Sequence, residues 1–169
     1  MSRIVVLAFS FLIFVSGARA EDATGPRIGR GDVWLVIGQT ESDSTCLGDL
    51  STPTCAMETF LACFTRERSD WCSAVMGAPY DFGSGKAPPR YRLYRIEKIE
   101  ELPRGQLFGD VHAITPTQDG DVVVVVSIRD CWFGPGEPEN EDCRPPETRH
   151  YLFRGKDAHW IVVNANSED

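Results

Sequence analysis

The chain has 169 residues, of which 42% are hydrophobic and 25% are charged, and its formal charge at pH 7 is −8. This composition is typical of a globular protein and not of a disordered one. An acidic chain forms few favourable charge contacts with nucleic acid or with an anionic membrane surface, so the sequence predicts neither as a partner.

The N-terminal segment has the three parts of a secretory signal peptide. Arg3 provides the positive charge, residues 4–15 form an apolar run, and Ala18 and Ala20 stand where signal peptidase requires small side chains. A membrane-spanning helix needs about 20 apolar residues, and this run is shorter. We therefore expect residues 1–20 to be cleaved near Ala20, which predicts a periplasmic or secreted protein without a membrane span in its mature chain.

The rest of the chain is predicted to form one domain. Residues 21–31 are polar and contain three glycines and a proline, so they are predicted to be a flexible lead-in. Residues 32–169 have the length of a single domain and contain no internal repeat.

Six cysteines lie in the predicted mature chain, and an even number in an exported protein predicts a set of disulfides. Two of them, eight residues apart on a predicted helix, would be roughly 12 Å apart and could not bond to each other. The spacing therefore favours neighbouring pairs. No C-x-x-C motif or closely spaced histidine pair is present, so neither a metal nor a cofactor is predicted. The predicted disulfides are Cys46–Cys55, Cys63–Cys72 and Cys131–Cys143.

Two helices are predicted in the first half of the domain. Thr52 can cap the first of them, and Pro53 suits its first turn. Ser69 is predicted to cap a second, shorter helix, which Gly77 would end. An apolar stripe with helical spacing marks the buried face of the first helix, at Met57, Phe60, Leu61 and Phe64.

The remaining elements are predicted to be strands. The run at residues 122–128 is β-branched and apolar on both faces, which is typical of a central strand. Asp119 and Gly120 before it form a turn signal. Residues 134–147 are predicted to be a loop, and residues 155–157 a turn within the last hairpin. The predicted strands are residues 33–37, 91–99, 107–115, 122–128, 148–154 and 158–163. For the second of these a helix is the alternative, because Ile96, Ile99 and Leu102 also have helical spacing.

This order predicts an α+β fold, in which two helices pack on a curved antiparallel sheet of four or more strands that disulfides reinforce. Over Thr52–Asn164 the chain resembles the nuclear transport factor 2-like superfamily, in element order, in the segments FLACF and WCSAVM ahead of the sheet, and in the closing strand HWIVVN. The resemblance implies the cone-shaped fold of ketosteroid isomerases, dehydratases and many exported domains. A cystatin-like sheet on one helix and an unrelated disulfide-rich α+β domain remain alternatives.

Asp110 and His112 are the candidate catalytic residues. They are two residues apart on a predicted strand and would share one face of it, where a carboxylate can orient an imidazole for acid–base chemistry. Enzymes of the resembling superfamily use Asp, His and Tyr side chains inside the cone. No motif in this sequence assigns those positions, so none of those roles is transferred to a residue here.

Aromatic side chains are the first candidate binding residues, because rings at the mouth of a cone could hold a small apolar ligand. The predicted binding residues among them are Tyr94, Trp132 and Phe133. The full set of candidate rings is Tyr80, Phe82, Tyr91, Tyr94, Trp132, Phe133, Tyr151 and Trp160.

An acidic, proline-rich loop between Cys131 and Cys143 is the second candidate. Its residues Glu137, Glu139 and Glu141 would attract a basic protein partner, and the disulfide would reduce the entropy lost on docking. The sequence therefore predicts first a non-catalytic binding or protein-interaction module. The alternatives are a small lyase or isomerase of the ketosteroid-isomerase-like class that uses Asp110 and His112, and an acidic inhibitor of a basic exported enzyme.

Overall fold

The computed structural model describes residues 33–83, 87–110, 113–133 and 141–167. The predicted signal peptide and lead-in, residues 1–31, lie outside them. The elements in chain order are β1 (Leu35–Gly38), α1 (Pro53–Thr65), α2 (Ser69–Met76), β2 (Tyr91–Glu101), β3 (Leu107–Phe108), β4 (Thr115–Pro116), β5 (Val122–Phe133), β6 (Glu141–Cys143), β7 (Glu147–Lys156) and β8 (His159–Ser167).

Helix α1 begins as its sequence predicts. The Thr52 hydroxyl accepts a 3.1 Å hydrogen bond from the backbone N–H of Cys55, and Pro53 occupies the first turn, where its missing N–H removes no helical bond. Met57 and Leu61 of the predicted stripe are fully buried in the core. Phe60 and Phe64 are only half-buried, because they extend beyond the core to the edge of a cavity.

Helix α2 follows after a sharp corner. Its N-cap is Arg68 and not the predicted Ser69, which is the first helical residue, and no side chain caps it. Gly77 ends the helix in the left-handed conformation at φ 64°, as predicted, because glycine has no Cβ to clash there. The Cys63–Cys72 disulfide joins the two helices across the corner.

The main sheet is antiparallel and has the order β1-β2-β5-β7-β8, with β6 paired to the end of β5. Strand β5 is central, as predicted, and at twelve residues it is longer than the β-branched run that signalled it. One face of the sheet buries Val124, Val126 and Phe153 against Met57 and Leu61 of α1. The predicted α+β class, with two helices and a disulfide-reinforced antiparallel sheet, is therefore confirmed.

The prediction of one strand over residues 107–115 is wrong. Strand β2 pairs directly with β5, and the intervening chain forms a separate two-stranded sheet of β3 and β4. The chain turns at Gly109, whose φ of 117° is left-handed and incompatible with a continuous strand. The side-chain amide of Asn164 in β8 donates to the carbonyls of Phe108 and Ala113 at 3.2 and 2.7 Å, which holds this hairpin against the main sheet.

Two further boundaries differ from the prediction. Residues 141–143, expected within a loop, form β6, where Cys143 pairs with Cys131 in the ladder. The last hairpin turns at Asp157 and Ala158, which both have positive φ, and not at residues 155–157.

All six cysteines form disulfides, and the pairs are the predicted ones, Cys46–Cys55, Cys63–Cys72 and Cys131–Cys143. Disulfides of this number are typical of exported proteins. Within the described residues, every helix falls short of the length and apolar character that crossing a membrane requires.

Candidate functional site

A cavity of about 580 Å³ lies beside the core, where α1 and the loop after α2 face the strands β2, β5 and β7. Small-molecule sites generally have volumes of about 300–1,000 Å³. The cavity has an aromatic wall on the helical side and a wall of arginines and carboxylates on the sheet side.

Five rings in mutual contact form the aromatic wall. Phe60 and Phe64 are one turn apart on α1, so their rings meet at a centroid distance of 5.0 Å and an angle of 82°. The chain of rings continues edge to face from Phe60 to Tyr151 at 5.2 Å and from Phe64 to Tyr80 at 5.5 Å. Phe82 closes the group at 5.0 Å from Tyr80.

The loop after α2 carries two of these rings, and a hydrogen bond anchors it. The backbone N–H of Tyr80 donates to the hydroxyl of Ser73 on α2 at 2.9 Å. Because α2 is joined to α1 by the Cys63–Cys72 disulfide, this bond fixes Tyr80 relative to Phe64 on the neighbouring helix.

Arg92 and Asp130 form the inner part of the charged wall. They are directly paired across β2 and β5, and the Arg92 guanidinium donates to both carboxylate oxygens, with a 3.0 Å bond from Nη2 to Oδ2. Their side chains are only 12% and 17% exposed. Arg92 Nη1 also donates to the carbonyl of Leu61 at 3.3 Å, so the pair connects the sheet to α1.

Three residues of β7 point to the same wall because alternate residues of a strand share one face. Arg149 Nη2 donates to Glu147 at 2.7 Å, whereas the Nε of the same guanidinium is buried and has no hydrogen-bond partner. Burial raises the pKa of the Tyr151 hydroxyl, and the nearby Arg149 charge opposes that rise without cancelling it. Tyr151 therefore keeps its proton at neutral pH.

Arg144 lines the outer edge of the cavity. Its guanidinium carbon lies 4.8 Å from the centroid of the Trp132 ring, the distance of a cation–π contact. The Trp132 indole N–H in turn donates to the carbonyl of Ala87 at 3.4 Å. With Glu67 at the end of α1, the lining contains three arginines and three carboxylates, so its formal charge is balanced.

The predicted binding residues are distributed around this cavity and not within it. Tyr94, expected at the mouth of a cone, has no exposed surface and lies in the core. Its hydroxyl donates there to the buried Glu58. Trp132 lines a second cavity, of about 570 Å³, and touches the first through Arg144. Phe133 pairs with Glu141 in the β5–β6 ladder. Glu137 and Glu139 lie outside the described residues.

Asp110, the first of the two candidate catalytic residues, lies between β3 and β4 and not on a strand. Asp110 is exposed in the turn between β3 and β4, where its Oδ1 accepts a 3.1 Å bond from the backbone N–H of Ala113. His112 lies outside the described residues. Asp110 is not among the residues that line the cavity.

Tyr80, Phe82 and Tyr151 were in the predicted set of rings, but the charged wall was not predicted. Its sequence signal is the alternation of Arg149 and Tyr151 on the predicted strand 148–154, which indicates that the two side chains share a face but not what that face contacts. Glu147 was predicted to lie in the preceding loop.

Of the described residues, no group of three His, Cys, Asp or Glu side chains is arranged to hold a metal ion. The chain matches no family model, no curated protein and no solved structure.

Proposed function

We propose that the protein is a non-catalytic binding module of the periplasm or the extracellular space, and that it holds a small molecule with an apolar part in the 580 Å³ cavity. The observation that carries this proposal is the continuous wall of five aromatic rings along a cavity of ligand size. Three disulfides support the exported location. The succession of two helices and an antiparallel sheet supports the cone-shaped superfamily as the fold.

The ion pairs of the cavity favour binding over catalysis. Asp130 and Glu147 each accept from a guanidinium, so both are engaged in ion pairs. General acid–base catalysis needs a group that can exchange a proton with the substrate, and histidine is the usual one at neutral pH. The described residues that line the cavity include no histidine.

The two alternative functions stay predictions. The Asp110 carboxylate serves a turn on an exposed hairpin, so no contact described here favours a lyase or isomerase. An acidic inhibitor would act through the loop that contains Glu137 and Glu139, and both residues lie outside the described part of the chain.

A fluorescence titration with N-phenyl-1-naphthylamine, a neutral aromatic probe whose fluorescence increases in apolar sites, tests the proposal. We expect saturable binding of one probe per chain. Phe64→Ala should weaken it about tenfold, because the ring supplies apolar contact worth roughly 1.5 kcal/mol or more. Tyr80→Ala is a second variant for the case that Phe64→Ala does not fold.

Leu107→Ala is the control. Leu107 is 67% exposed on β3, away from the cavity, so its replacement should leave the affinity unchanged. The proposal is wrong if the folded protein shows no saturable binding, or if the cavity variants and the control behave alike.

A further inference from the structure

We infer that the occupant of the cavity is an amphipathic anion, whose apolar part packs on the five rings and whose carboxylate or phosphate accepts hydrogen bonds from Arg149 and Arg144. This inference rests on the function proposed above and adds the chemical class of the ligand.

The arginines of the cavity differ in how many of their hydrogen-bond donors the protein already uses. A guanidinium carries five N–H groups and no acceptor. Arg92 uses all three of its nitrogens, two toward Asp130 and one toward the Leu61 carbonyl. Arg149 differs, because its Nε is buried without a hydrogen-bond partner, while Nη2 donates to Glu147 and the guanidinium interacts with the Tyr151 hydroxyl. The guanidinium of Arg149 is therefore not fully engaged by the protein, and its exposed N–H groups can donate to an acceptor on a ligand.

Arg149 is also accessible to a ligand that enters from solvent. Its side chain is 43% exposed although its Nε is covered, so the outer part of the guanidinium faces the cavity opening. Arg144 is exposed at the same edge, and its guanidinium carbon lies 4.8 Å from the centroid of the Trp132 ring. A cation–π contact is not a hydrogen bond to an acceptor, so the guanidinium can still donate to a ligand.

Two of the three carboxylates in the lining, in contrast, already accept from arginines. Asp130 receives two bonds from Arg92, and Glu147 receives one from Arg149. A cationic ligand would have to displace one of these arginines to reach Asp130 or Glu147, whereas Glu67 is exposed beyond the end of α1. The exposed guanidinium groups of Arg149 and Arg144 thus favour an anion, although the formal charge of the lining is balanced and that of the chain as a whole is −8.

The apolar requirement follows from the opposite wall. The rings of Phe60, Phe64, Tyr80 and Phe82 present hydrocarbon surface within the same cavity. A small inorganic anion would leave that surface in contact with water, whereas an acyl chain or ring system attached to the anionic group would cover it.

A matched pair of probes separates the anionic group from the apolar body. 1-Anilinonaphthalene-8-sulfonate has the same phenyl–naphthyl amine skeleton as N-phenyl-1-naphthylamine and adds one sulfonate. Arg149→Gln should lower the affinity for the sulfonate probe about tenfold and change the affinity for the neutral probe by less than about twofold. Arg144→Gln should act in the same direction and serves if Arg149→Gln does not fold.

The control is Arg104→Gln. Arg104 is 75% exposed, pairs with Asp119 and is not among the residues that line the cavity. Arg104→Gln therefore removes the same charge as Arg149→Gln but leaves the cavity lining unchanged. Its replacement should leave both affinities unchanged. Displacement of the sulfonate probe by decanoate or by decyl phosphate, but not by decanol, would identify the anionic group and distinguish a carboxylate from a phosphate.

The inference is overturned if the arginine variants affect both probes equally, or if decanol competes as well as decanoate. That result would leave intact the proposed binding of an apolar molecule, which Phe64→Ala tests with the neutral probe. If Phe64→Ala changes the binding of neither probe, the proposed function itself fails.

Discussion

The Tyr94 hydroxyl donates a 2.8 Å hydrogen bond to the carboxylate of Glu58, and both side chains lie in the core, with exposures of 0% and 3%. The hydroxyl of Ser44 donates to the other oxygen of Glu58. A glutamate is almost never buried this deeply unless its oxygens are paired. The two hydroxyls therefore satisfy the Glu58 carboxylate where it is buried between α1 and β2.

Tyr94→Phe should lower the free energy of unfolding by about 1–3 kcal/mol, because it leaves one buried oxygen of Glu58 without its donor while the ring is kept. Urea unfolding followed by circular dichroism measures this change. Tyr80→Phe is the control, since the Tyr80 hydroxyl has no hydrogen bond to the described residues, and it should change stability by less than about 0.5 kcal/mol. Equal effects of the two variants would contradict the role given to the Tyr94–Glu58 bond.

Gly109 is required where the β3–β4 hairpin approaches β8. Its φ is 117°, and a Cβ added there would lie 2.0 Å from the Ala113 carbonyl oxygen and 2.5 Å from the Asn164 amide nitrogen. Gly109→Ala should therefore displace the hairpin and lower the free energy of unfolding by about 2 kcal/mol or more.

Gly105→Ala separates the two causes of that effect. Gly105 also has positive φ, at 82°, but no atom lies within 4 Å of its added Cβ. This variant should lose only the roughly 1 kcal/mol expected from the backbone conformation. If thermal and urea unfolding give the same loss for both alanine variants, the close contact of Gly109 with Asn164 is not important for stability.

Local signals predicted the parts of the fold that depend on neighbouring residues. Thr52 and Pro53 start α1, Gly77 ends α2, and the β-branched run at 122–128 forms the central strand, because each of these effects acts within one turn or one strand. The disulfide pairs could also be predicted, since short loops and helix geometry limited the choices.

The cavity could not be predicted because it depends on contacts between distant parts of the chain. Arg92 and Asp130 are neighbours because β2 pairs with β5 and not with the next strands along the chain, β3 and β4. Tyr94 is on the same face of β2 as Arg92, yet the first is covered by α1 and the second lines the cavity. Alternation indicates the shared face, but the position of α1 along it decides which side chain is buried.

Asp121 and Arg154 form the ion pair for which the structure predicts a pH dependence. Arg154 donates from Nε and Nη2 to the two oxygens of Asp121 at 2.9 and 2.7 Å, and the Asp121 side chain is 1% exposed. Burial acts to raise the pKa of Asp121, but the Arg154 guanidinium and the backbone N–H of Gln118 outweigh it and hold the pKa below its ordinary value.

Because the folded state holds the proton of Asp121 less tightly than the unfolded state, this pair stabilises the fold above about pH 4, and its contribution is lost as the pH falls further. The free energy of unfolding in urea should therefore decrease from pH 5 to pH 3. Asp121→Asn should lower stability at pH 7 by about 2–3 kcal/mol, less than for a fully buried pair because Arg154 is partly exposed. Its decrease toward pH 3 should be smaller than that of the wild type, and a parallel decrease would contradict the assignment to Asp121.

Two of the disulfides close loops of equal length, which allows their contributions to be compared directly. Cys46–Cys55 and Cys63–Cys72 each join residues nine apart, so the chain-entropy model gives each about 3 kcal/mol. Replacing either pair by two alanines should lower the free energy of unfolding by about that amount, and the difference between the two variants measures how the native-state contributions of the two bonds differ.

Only the variant without Cys63 and Cys72 should also weaken probe binding, because that bond holds α2 and the Tyr80 loop against Phe64. Equal weakening in both variants, or a different pairing found by peptide mapping without reduction, would contradict this assignment.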